Sequence, residues 1–417
     1  MANLFENLYG LYGDREILHL AAPAGYRLFP SASFTCGDCL HFTNLAAEAF
    51  IRDLDLKKGE RVVLCMSEPA ELLLVAVALV KSGGVVVPLD NNLPAADIAQ
   101  YARGCGATLA VMGADVLAER ADLANGIPGV ERMMVSGPRE RTPQGSASLD
   151  KAMDSSSGFF LPYTLKPSNV IGLFHTLMRD GTLKAVMATN EGLLGPQLRA
   201  VPFFPTHPGD PCVCAASLRS MAGFTAAMLG LCMGWRLHLL PHAEPEKILA
   251  AMEDVRPAAF LGNPEVFTPL LQADAPGCSI PPVRLWFSAG GPLPRQVVDA
   301  FRGWSSPRSG SASPSAGFVE AFDAGGNASM LALKPALAVF PWPEDCPGSA
   351  IPPNRMDIVD EEGKPQRRGE AGELVIRGPA VTPGYWNDVE GTMAAKSDGW
   401  FRTGIPATKH HYLITLL

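Results

Sequence analysis

Two short apolar segments on either side of a helical segment constrain the fold more than any other feature. Residues 61–66 (RVVLCM) and 85–89 (VVVPL) predict strands. The segment between them predicts a helix that is capped by Ser67 and ends at Gly83. Strands that are apolar on both faces are typical of parallel sheets that helices cover on both sides. The pattern therefore predicts a parallel βαβ unit and an α/β fold.

The alternation of strands and helices continues along the chain. Residues 108–112 and 114–123 predict a further strand and helix of the first half. From residue 170 onward, the same alternation predicts a second parallel sheet. Its predicted strands are residues 235–240, 258–261 and 283–288, and its predicted helices are residues 244–253 and 265–271. Two short segments near the end, residues 356–360 and 372–377, predict strands of a small β-barrel or sandwich.

These segments predict three subdomains, since 417 residues are too many for one simple core. Two α/β subdomains with parallel sheets are predicted at residues 1–170 and 171–325, although the two could interleave. A small β-barrel is predicted at residues 326–417. Two stretches rich in Ser, Pro and Gly, residues 137–157 and 305–316, predict surface connections.

Composition and charge exclude several classes of partner. The net charge is −8, only 18% of residues are charged, and no basic run is present, so nucleic acid is not an expected partner. The longest apolar region, residues 221–235, is shorter than the ~20 residues that span a bilayer, so it predicts a buried helix rather than a membrane span. The N-terminal segment has no basic start followed by an apolar stretch, and therefore no signal peptide is expected.

The nine cysteines show no spacing of a disulfide framework. An odd number without a secretion signal predicts free thiols in a reducing cytosol, and hence a cytoplasmic protein. Cys36 and Cys39 form a C-x-x-C, but there is no second pair at zinc-finger spacing. We therefore expect both cysteines on one helix turn that follows a Thr35 cap.

Two long sequence motifs near the end of the chain are the most specific for a protein family. Residues 372–387 (GELVIRGPAVTPGYWN) and 398–404 (DGWFRTG) resemble those of the adenylate-forming superfamily of acyl-CoA synthetases, aryl-CoA ligases and adenylation domains of peptide synthetases. Residues 59–90 and 242–267 are also similar to this family. Residues 288–301 (SAGGPLPRQVVDAF) resemble its adenine-contacting loop, which assigns Gly290, Gly291 and Pro292 to nucleotide binding.

The resemblance implies a reaction. Members of this superfamily activate a small carboxylic acid with ATP and Mg²⁺ to give an acyl-adenylate and pyrophosphate. They then usually pass the acyl group to coenzyme A or to a carrier protein. Such chemistry rests on positioning and on charge neutralisation as the α-phosphorus is attacked.

The family's phosphate loop, T-S-G-T-T-G-x-P-K-G, corresponds to residues 176–185. Gly181 and Thr182 are therefore candidates for phosphate binding, and Lys184 is a candidate catalytic residue. Asp180 adds a carboxylate that would cost about 3 kcal/mol at ~5 Å from a phosphate, with an effective dielectric near 20. Two interpretations stay open: an altered but working phosphate loop, or an ordinary loop that connects a strand to a helix.

The family's Y-G-x-T-E motif was aligned with residues 316–320 (AGFVE). Glu320 then takes the place of the Mg²⁺ ligand and is a candidate catalytic and metal-binding residue; the alternative is a solvated loop carboxylate. Gly317 is retained. Ala316 replaces the adenine-stacking aromatic residue, and Val319 replaces the hydroxyl that bonds the phosphate.

The ribose anchor and the acyl side also depart from the family. In the family, the aspartate of the T-G-D motif anchors the ribose by accepting hydrogen bonds from both of its hydroxyls. Here the motif appears as T-G-Ile405, and isoleucine accepts no hydrogen bond from a ribose hydroxyl. The family's P-L-F-H appears as residues 217–220 (SLRS), which makes Arg219, Ser220 and the nearby Gly223 candidates for substrate binding. Arg219 could pair with an acidic ligand, or could be a snorkelling arginine at a helix start.

The resemblance also implies a hinge and a C-terminal lid domain with the adenylating lysine, which we expect to be absent from this chain, since it ends at Leu417. Three hypotheses follow. The chain is a ligase homologue with weak adenylation, or one that needs a separate lid domain; it is a catalytically inactive acyl- or aryl-binding or scaffold protein; or the reading frame changes near Gly404, where the family pattern breaks.

Overall fold

The structure, a computed structural model, forms two compact units, Met1–His175 and Thr176–Leu417. The residues described are 1–20, 25–124, 126–177, 183–200, 204–241, 244–273, 283–304, 317–335, 342–410 and 413–417. The boundary between the units lies five residues from the predicted end of the first α/β subdomain at residue 170. The predicted division into three subdomains stays a prediction.

In the described part of the first unit there are eight strands, the last of which ends two residues beyond His175. They are β1 (Glu16–His19), β2 (Ser33–Thr35), β3 (Arg61–Cys65), β4 (Val85–Pro88), β5 (Leu109–Gly113), β6 (Arg132–Ser136), β7 (Ala147–Ser148) and β8 (Val170–Leu177). A parallel sheet has the order β7-β6-β5-β3-β4-β8, and β1 and β2 form an antiparallel ribbon. The predicted βαβ unit is therefore confirmed, with β3 and β4 adjacent and parallel.

The helices of the first unit cover this sheet. They are α1 (Leu4–Tyr12), α2 (Cys36–Arg52), α3 (Pro69–Lys81), α4 (Ala95–Cys105), α5 (Ala114–Glu119), α6 (Ala121–Ala124) and α7 (Leu149–Met153). Helix α3 is apolar on all sides and is buried along its length, as expected for a crossover helix inside a parallel sheet. Helix α2 begins after Thr35, whose side chain forms a capping box with Asp38, as predicted.

Three sequence predictions for this unit need correction. Helix α3 is capped by Glu68, not by Ser67, because the Glu68 carboxylate accepts the Ala70 N–H at 3.1 Å. The helix predicted at residues 114–123 is interrupted at Arg120, whose guanidinium donates to the carbonyls of Asn91 and Leu93.

The third correction concerns the connection predicted at residues 137–157. It contains helix α7 and a buried carboxylate, Asp150, which is 2.5 Å from the Arg139 guanidinium. The Ser- and Pro-rich sequence does not predict a buried carboxylate, because the partners of Asp150 are supplied by tertiary packing.

The second unit contains a sheet with a parallel core. Strand β9 (Leu183–Thr189) comes first in this unit and does not belong to this sheet. Among the residues described, the unit contributes to the sheet the strands β10 (Pro211–Cys214), β11 (Arg236–Leu239), β12 (Ala259–Gly262), β13 (Leu285–Gly290), β14 (Gly317–Phe322), β15 (Ala332–Lys334) and β16 (Ser349–Ala350). Strands β11, β10, β12, β13 and β14 are adjacent in that order and parallel, and β15 and β16 continue the sheet in antiparallel fashion. The predicted second parallel sheet is thus confirmed.

The helices described in this part of the second unit are α8 (Asn190–Ala200), α9 (Met221–Cys232), α10 (Pro245–Val255), α11 (Pro264–Gln272) and α12 (Arg295–Trp304). An aromatic cluster fixes two of them against the sheet. Phe267 of α11 and Phe301 of α12 pack edge-to-face at 5.3 Å between ring centroids, and Trp286 of β13 lies 4.8 Å from Phe301. Helix α9 is almost wholly buried, as predicted for the longest apolar region.

A curled antiparallel sheet completes the second unit. It contains β17 (Arg355–Val359), β18 (Ala371–Arg377), β19 (Lys396–Ser397), β20 (Trp400–His410) and β21 (Leu413–Leu416), with α13 (Val389–Ala394) before β19. The order is β17-β18-β20-β19, and β21 also pairs with β20. The short strands predicted at residues 356–360 and 372–377 are confirmed as β17 and β18.

Two predictions from composition can be compared with the described residues. The eight cysteines described there are free thiols. Within the same part of the chain, no helix has the length and apolarity to cross a bilayer. The predicted loop at residues 305–316 lies outside the described residues.

Candidate functional site

The carboxyl ends of the parallel strands of the second unit meet at one edge of the sheet, which is where open α/β sheets bind ligands. Asn263 follows β12 at this edge and is buried. Its side-chain oxygen accepts the Ser217 N–H at 2.8 Å, and its amide nitrogen donates to the Ala289 carbonyl at 2.8 Å. Asn263 therefore holds the segments at the ends of β10, β12 and β13 in a fixed relation.

A glycine-rich loop, residues 323–327, follows β14 at the same edge; we call it the β14 loop. Ala324, Gly325 and Gly326 all have positive φ. A Cβ at Gly326 would lie 2.5 Å from Thr176 Oγ1, and one at Gly325 would lie 3.9 Å from Ile405 Cδ1. The loop therefore contacts both Thr176, the first residue matched to the phosphate loop, and Ile405, which replaces the ribose anchor.

The adenine-loop candidates lie beside the β14 loop. Gly290 ends β13 with φ +138°, and its carbonyl accepts the Asp323 N–H at 3.4 Å. A Cβ at Gly291 would meet nothing within 4 Å, so the backbone there faces open space. Pro292 follows directly and is half-buried. The structure thus brings Gly290, Gly291 and Pro292 to the edge at which the β14 loop contacts Thr176 and Ile405.

Asp323, the first residue of the β14 loop, was missed by the sequence analysis. Its Oδ1 accepts the Gly325 N–H at 3.0 Å. The pKa of this carboxyl is raised to about 7, mainly by burial and to a smaller extent by the nearby Glu265, against the opposing effect of N–H donors from Gly326 and Gly325. The signal that could have revealed Asp323 is its position directly after the carboxyl end of a parallel strand.

Replacing Asp323 with asparagine is expected to stabilise the protein at alkaline pH. The folded-state pKa is above the unfolded value of 3.8, so wild-type stability falls as pH rises from about 4 to 7. Asparagine has no charge to desolvate. Since Asp323 is half-buried, we expect a gain of roughly 2 kcal/mol above pH 8, below the about 4 kcal/mol of full burial. Urea unfolding at pH 4, 6 and 8 measures the difference in the free energy of unfolding between the variant and the wild type.

The matched control for this prediction is Asp254→Asn, which removes an exposed carboxylate from α10. Its stability difference from wild type should not grow between pH 4 and pH 8. If Asp323→Asn behaves in the same way as this control, the Asp323 carboxyl is solvated rather than buried, and its assignment to the site is wrong.

Glu320 lies within β14 and is buried, so the alternative of a solvated loop carboxylate is wrong. Its Oε1 accepts the Leu293 N–H at 2.9 Å and lies 3.2 Å from Lys334 Nζ. The ammonium of Lys334 also donates to the Glu344 carbonyl at 2.8 Å. Glu320 therefore anchors the segment after β13 and is neutralised by a lysine.

This arrangement does not fit Mg²⁺ held by Glu320. The Lys334 ammonium already occupies the position beside the carboxylate oxygen, and a divalent cation there would meet a like charge. Among the residues described, no cluster of three or more His, Cys, Asp or Glu side chains could hold a metal ion. A single lysine-paired carboxylate is a poor Mg²⁺ site.

Other predicted site residues lie elsewhere on β14 or outside the described residues. Gly317 pairs with Leu285 at the amino end of β14, and Val319 is a core residue with 1% exposure. The structure does not bring these two to the carboxyl edge. Ala316, Gly181 and Thr182 lie outside the described residues.

Lys184 lies on β9 and is held by two groups. Its Nζ is 2.8 Å from Asp388 Oδ2 and 4.5 Å from the centre of the Tyr385 ring. The hydrogen bond from Lys184 lowers the pKa of the Asp388 carboxyl, which also accepts the Gly391 N–H. Lys184 therefore ties β9 to the start of α13, and a direct role in catalysis stays a prediction.

The candidate acyl-side residues build the start of α9. Ser220 caps this helix, and its hydroxyl accepts the Gly223 N–H at 3.0 Å. A Cβ at Gly223 would lie 2.1 Å from the Ser217 carbonyl oxygen, so only glycine fits there. Arg219 is half-buried, and its N–H is 3.4 Å from Ser217 Oγ. Contact of these residues with a substrate stays a prediction.

A parallel sheet with a glycine-rich loop at its carboxyl edge, followed by a curled antiparallel sheet, is the architecture of the large domain of adenylate-forming ligases, as the resemblance implied. The long-chain-fatty-acid–CoA ligase FadD1 of Archaeoglobus fulgidus superposes on the whole of this chain and on 83% of its own, with a TM-score of 0.85 and 19% identity. The chain belongs to the AMP-binding enzyme family, whose model matches residues 14–386.

Two further comparisons concern aryl-CoA ligases. The anthranilate–CoA ligase of Pseudomonas aeruginosa is 27% identical over 368 residues, which are 84% of this chain and 64% of that protein. The structure of the anthranilate CoA ligase AuaEII in complex with anthranoyl-AMP matches all of this chain and 76% of its own, with a TM-score of 0.83 and 17% identity. The chain spans 64–69% of the length of the first curated relatives it matches.

Proposed function

We propose that this protein is an acyl-activating ligase homologue that adenylates a small carboxylic acid with ATP. Membership of the AMP-binding family supports this proposal, and the names of its relatives point to aryl and acyl acids as the class of substrate. The observation that carries it is that the β14 loop contacts Thr176, Ile405 and Gly290. Coenzyme A or a carrier protein would accept the acyl group.

The residues at this edge of the sheet fit ATP in part. Gly291 leaves open space in which the flat face of a base can approach the backbone, and Thr176 presents a hydroxyl beside Gly326. Two side chains oppose a nucleotide. Asp323 places a carboxylate in the loop, and Ile405 cannot accept a hydrogen bond from a ribose hydroxyl. We therefore propose weak adenylation by residues 1–417, which the C-terminal domain of a related ligase would increase.

A second candidate function is an acyl- or aryl-binding or scaffold protein without catalysis. The pairing of Glu320 with Lys334 favours it, because the carboxylate proposed for Mg²⁺ is already neutralised. In this case an acid would bind without ATP or Mg²⁺.

ATP–pyrophosphate exchange with a panel of aryl and acyl acids tests the proposal. Weak exchange is expected with at least one acid, and it should increase when the C-terminal domain of an aryl-CoA ligase is added in trans. If no acid of the panel supports ATP–pyrophosphate exchange, but calorimetry shows that an acid binds by itself, adenylation is contradicted and the second candidate is supported.

Ile405→Asp should increase ATP affinity, because it restores an acceptor for the ribose hydroxyls. A charge-assisted pair of hydrogen bonds contributes about 2 kcal/mol, so we expect a gain of roughly tenfold or more in calorimetry with ATP. The control Ile405→Leu keeps an apolar side chain and should leave the affinity unchanged. Equal ATP affinity in wild type, Ile405→Asp and Ile405→Leu would place the nucleotide away from this position.

A further inference from the structure

Two arginines face each other on the curled antiparallel sheet of the second unit. Arg355 of β17 lies directly opposite Arg377 of β18. Like charges at such positions repel, and the pair lowers stability unless an anion lies between or beside them. The acidic residues of the same strands are engaged elsewhere, since Asp357 is 3.0 Å from Lys409 and Glu373 is 2.7 Å from Arg402.

In the part of the chain that the structure describes, no carboxylate lies within ion-pair distance of the Arg355 or the Arg377 guanidinium. Arg355 is exposed and Arg377 is half-buried. The sheet therefore presents two adjacent positive charges to a ligand.

An indole ring holds one of these arginines in place. The Arg377 guanidinium carbon lies 4.4 Å from the centre of the Trp400 ring. A guanidinium stacked on an aromatic face keeps its N–H groups at the edge of its plane free to donate, and its orientation is fixed before a ligand arrives. Trp400 in turn pairs with Ser397 across the β19–β20 hairpin. Arg355, Arg377, Trp400 and Ser397 thus form a row across four strands, which we call the arginine row.

A cavity of about 360 Å³ adjoins the arginine row. Arg377, Trp400 and Ser397 line it, together with Lys396 and Asp398. The Lys396 ammonium donates to the Pro383 carbonyl, which leaves two of its three N–H groups for a ligand. The hairpin tip is a tight turn, with positive φ at both Asp398 and Gly399, and so these groups are held on a short, defined backbone.

The charges of this site select the class of ligand. Two cations, Arg377 and Lys396, line the cavity, Arg355 adds a third beside it, and Asp398 is the single carboxylate. A guanidinium fork matches the oxygen pair of a phosphate, and lysine adds a point charge. We propose that the arginine row and its cavity bind the phosphate group of a phosphorylated small molecule. This site is built by the antiparallel sheet and is independent of the adenylation proposed above.

Calorimetry of the full chain with inorganic pyrophosphate in 50 mM salt tests the site. Saturable binding is expected, and Arg377→Gln should weaken it at least tenfold, because it removes the stacked guanidinium. Arg355→Gln should weaken it several-fold, and Arg377→Lys should fall between wild type and Arg377→Gln. The control Arg367→Gln removes an exposed arginine of the same subdomain away from the row and should leave the affinity unchanged. Raising the salt to 500 mM should weaken binding, since exposed charges are screened.

A second titration separates two sources of the phosphate group. Coenzyme A and dephospho-coenzyme A differ only by the 3′-phosphate. If coenzyme A binds more tightly and Arg377→Gln abolishes the difference, the site takes a phosphate monoester of a larger molecule; if only pyrophosphate depends on Arg377, it takes a free anion. No binding of any of the three probes, or binding that Arg377→Gln and Arg355→Gln leave unchanged, would overturn the proposal.

Thermal unfolding gives a readout that does not depend on a known ligand. Without phosphate, Arg355→Gln should raise the melting temperature, because the repulsion between the two guanidiniums is removed. Pyrophosphate should raise the melting temperature of the wild type more than that of Arg355→Gln or Arg377→Gln. An equal rise in all three proteins would contradict a site at the arginine row, even where a variant is less stable than the wild type.

Discussion

Replacing Lys334 with methionine is expected to lower the free energy of unfolding by about 3–5 kcal/mol, the typical cost of leaving one partner of a buried ion pair unpaired. Lys334 and Glu320 are 5% and 7% exposed, and the lysine is the cation that faces this carboxylate at 3.2 Å. Without it, the partner that Glu320 keeps among the described residues is the Leu293 N–H. Urea unfolding at pH 7 measures the loss.

A double variant and a surface control show whether the charge is responsible. Lys334→Met combined with Glu320→Gln removes both charges and keeps an acceptor for the Leu293 N–H, so it should recover most of the lost stability. Lys409→Met breaks the more exposed pair with Asp357 and should cost no more than about 1 kcal/mol. If Lys334→Met costs no more than Lys409→Met, the interior is wet at Glu320, and the argument against Mg²⁺ at this carboxylate loses its basis.

The second large effect is expected at the start of α9. Gly223→Ala would place a Cβ 2.1 Å from the Ser217 carbonyl oxygen and 2.8 Å from its carbonyl carbon. Both atoms belong to the backbone, and Ser217 is itself fixed by the Asn263 side chain, so neither can move away easily. We expect a loss of about 3 kcal/mol or more in the free energy of unfolding, measured by urea titration.

Gly303→Ala is the matched control for this prediction. Gly303 lies in α12 of the same unit, and a Cβ there would meet nothing within 4 Å. Alanine has the higher helix propensity, so this variant should be more stable than wild type by roughly 0.5–1 kcal/mol. A loss of less than 1 kcal/mol for Gly223→Ala would show that the end of β10 yields, and that the edge near Arg219 is adaptable.

The functional edge was only partly predictable from sequence. The motif at residues 288–301 predicted a site at Gly290 and Gly291, and the structure has these residues at the carboxyl end of β13, although their role in nucleotide binding stays a prediction. The five-residue match at 316–320 instead predicted site residues at Gly317 and Val319, which the structure has in the amino half of β14. A short, degenerate motif does not specify where a strand ends. Asp323 was therefore overlooked, although it is the first residue after that end.

Interactions between distant residues could not be read from the chain at all. The pairing of Lys334 with Glu320 requires β15 to run antiparallel to β14, and the contact of Ile405 with the β14 loop joins residues about 80 positions apart in the chain. Neither contact leaves a periodic signal. The same holds for Arg355 and Arg377, whose opposition depends on the register of β17 against β18.

The sequence by itself determined the alternation of buried strands and helices, because apolar runs such as those of β3, β4 and α3 can be buried only in a parallel α/β sheet. It also indicated the family, through the motifs at residues 372–387 and 398–404. Only the tertiary structure decided which charges neutralise one another, since that depends on sheet order and register. Those pairings leave Glu320 occupied by a lysine, and leave Arg355 and Arg377 without a carboxylate among the residues described.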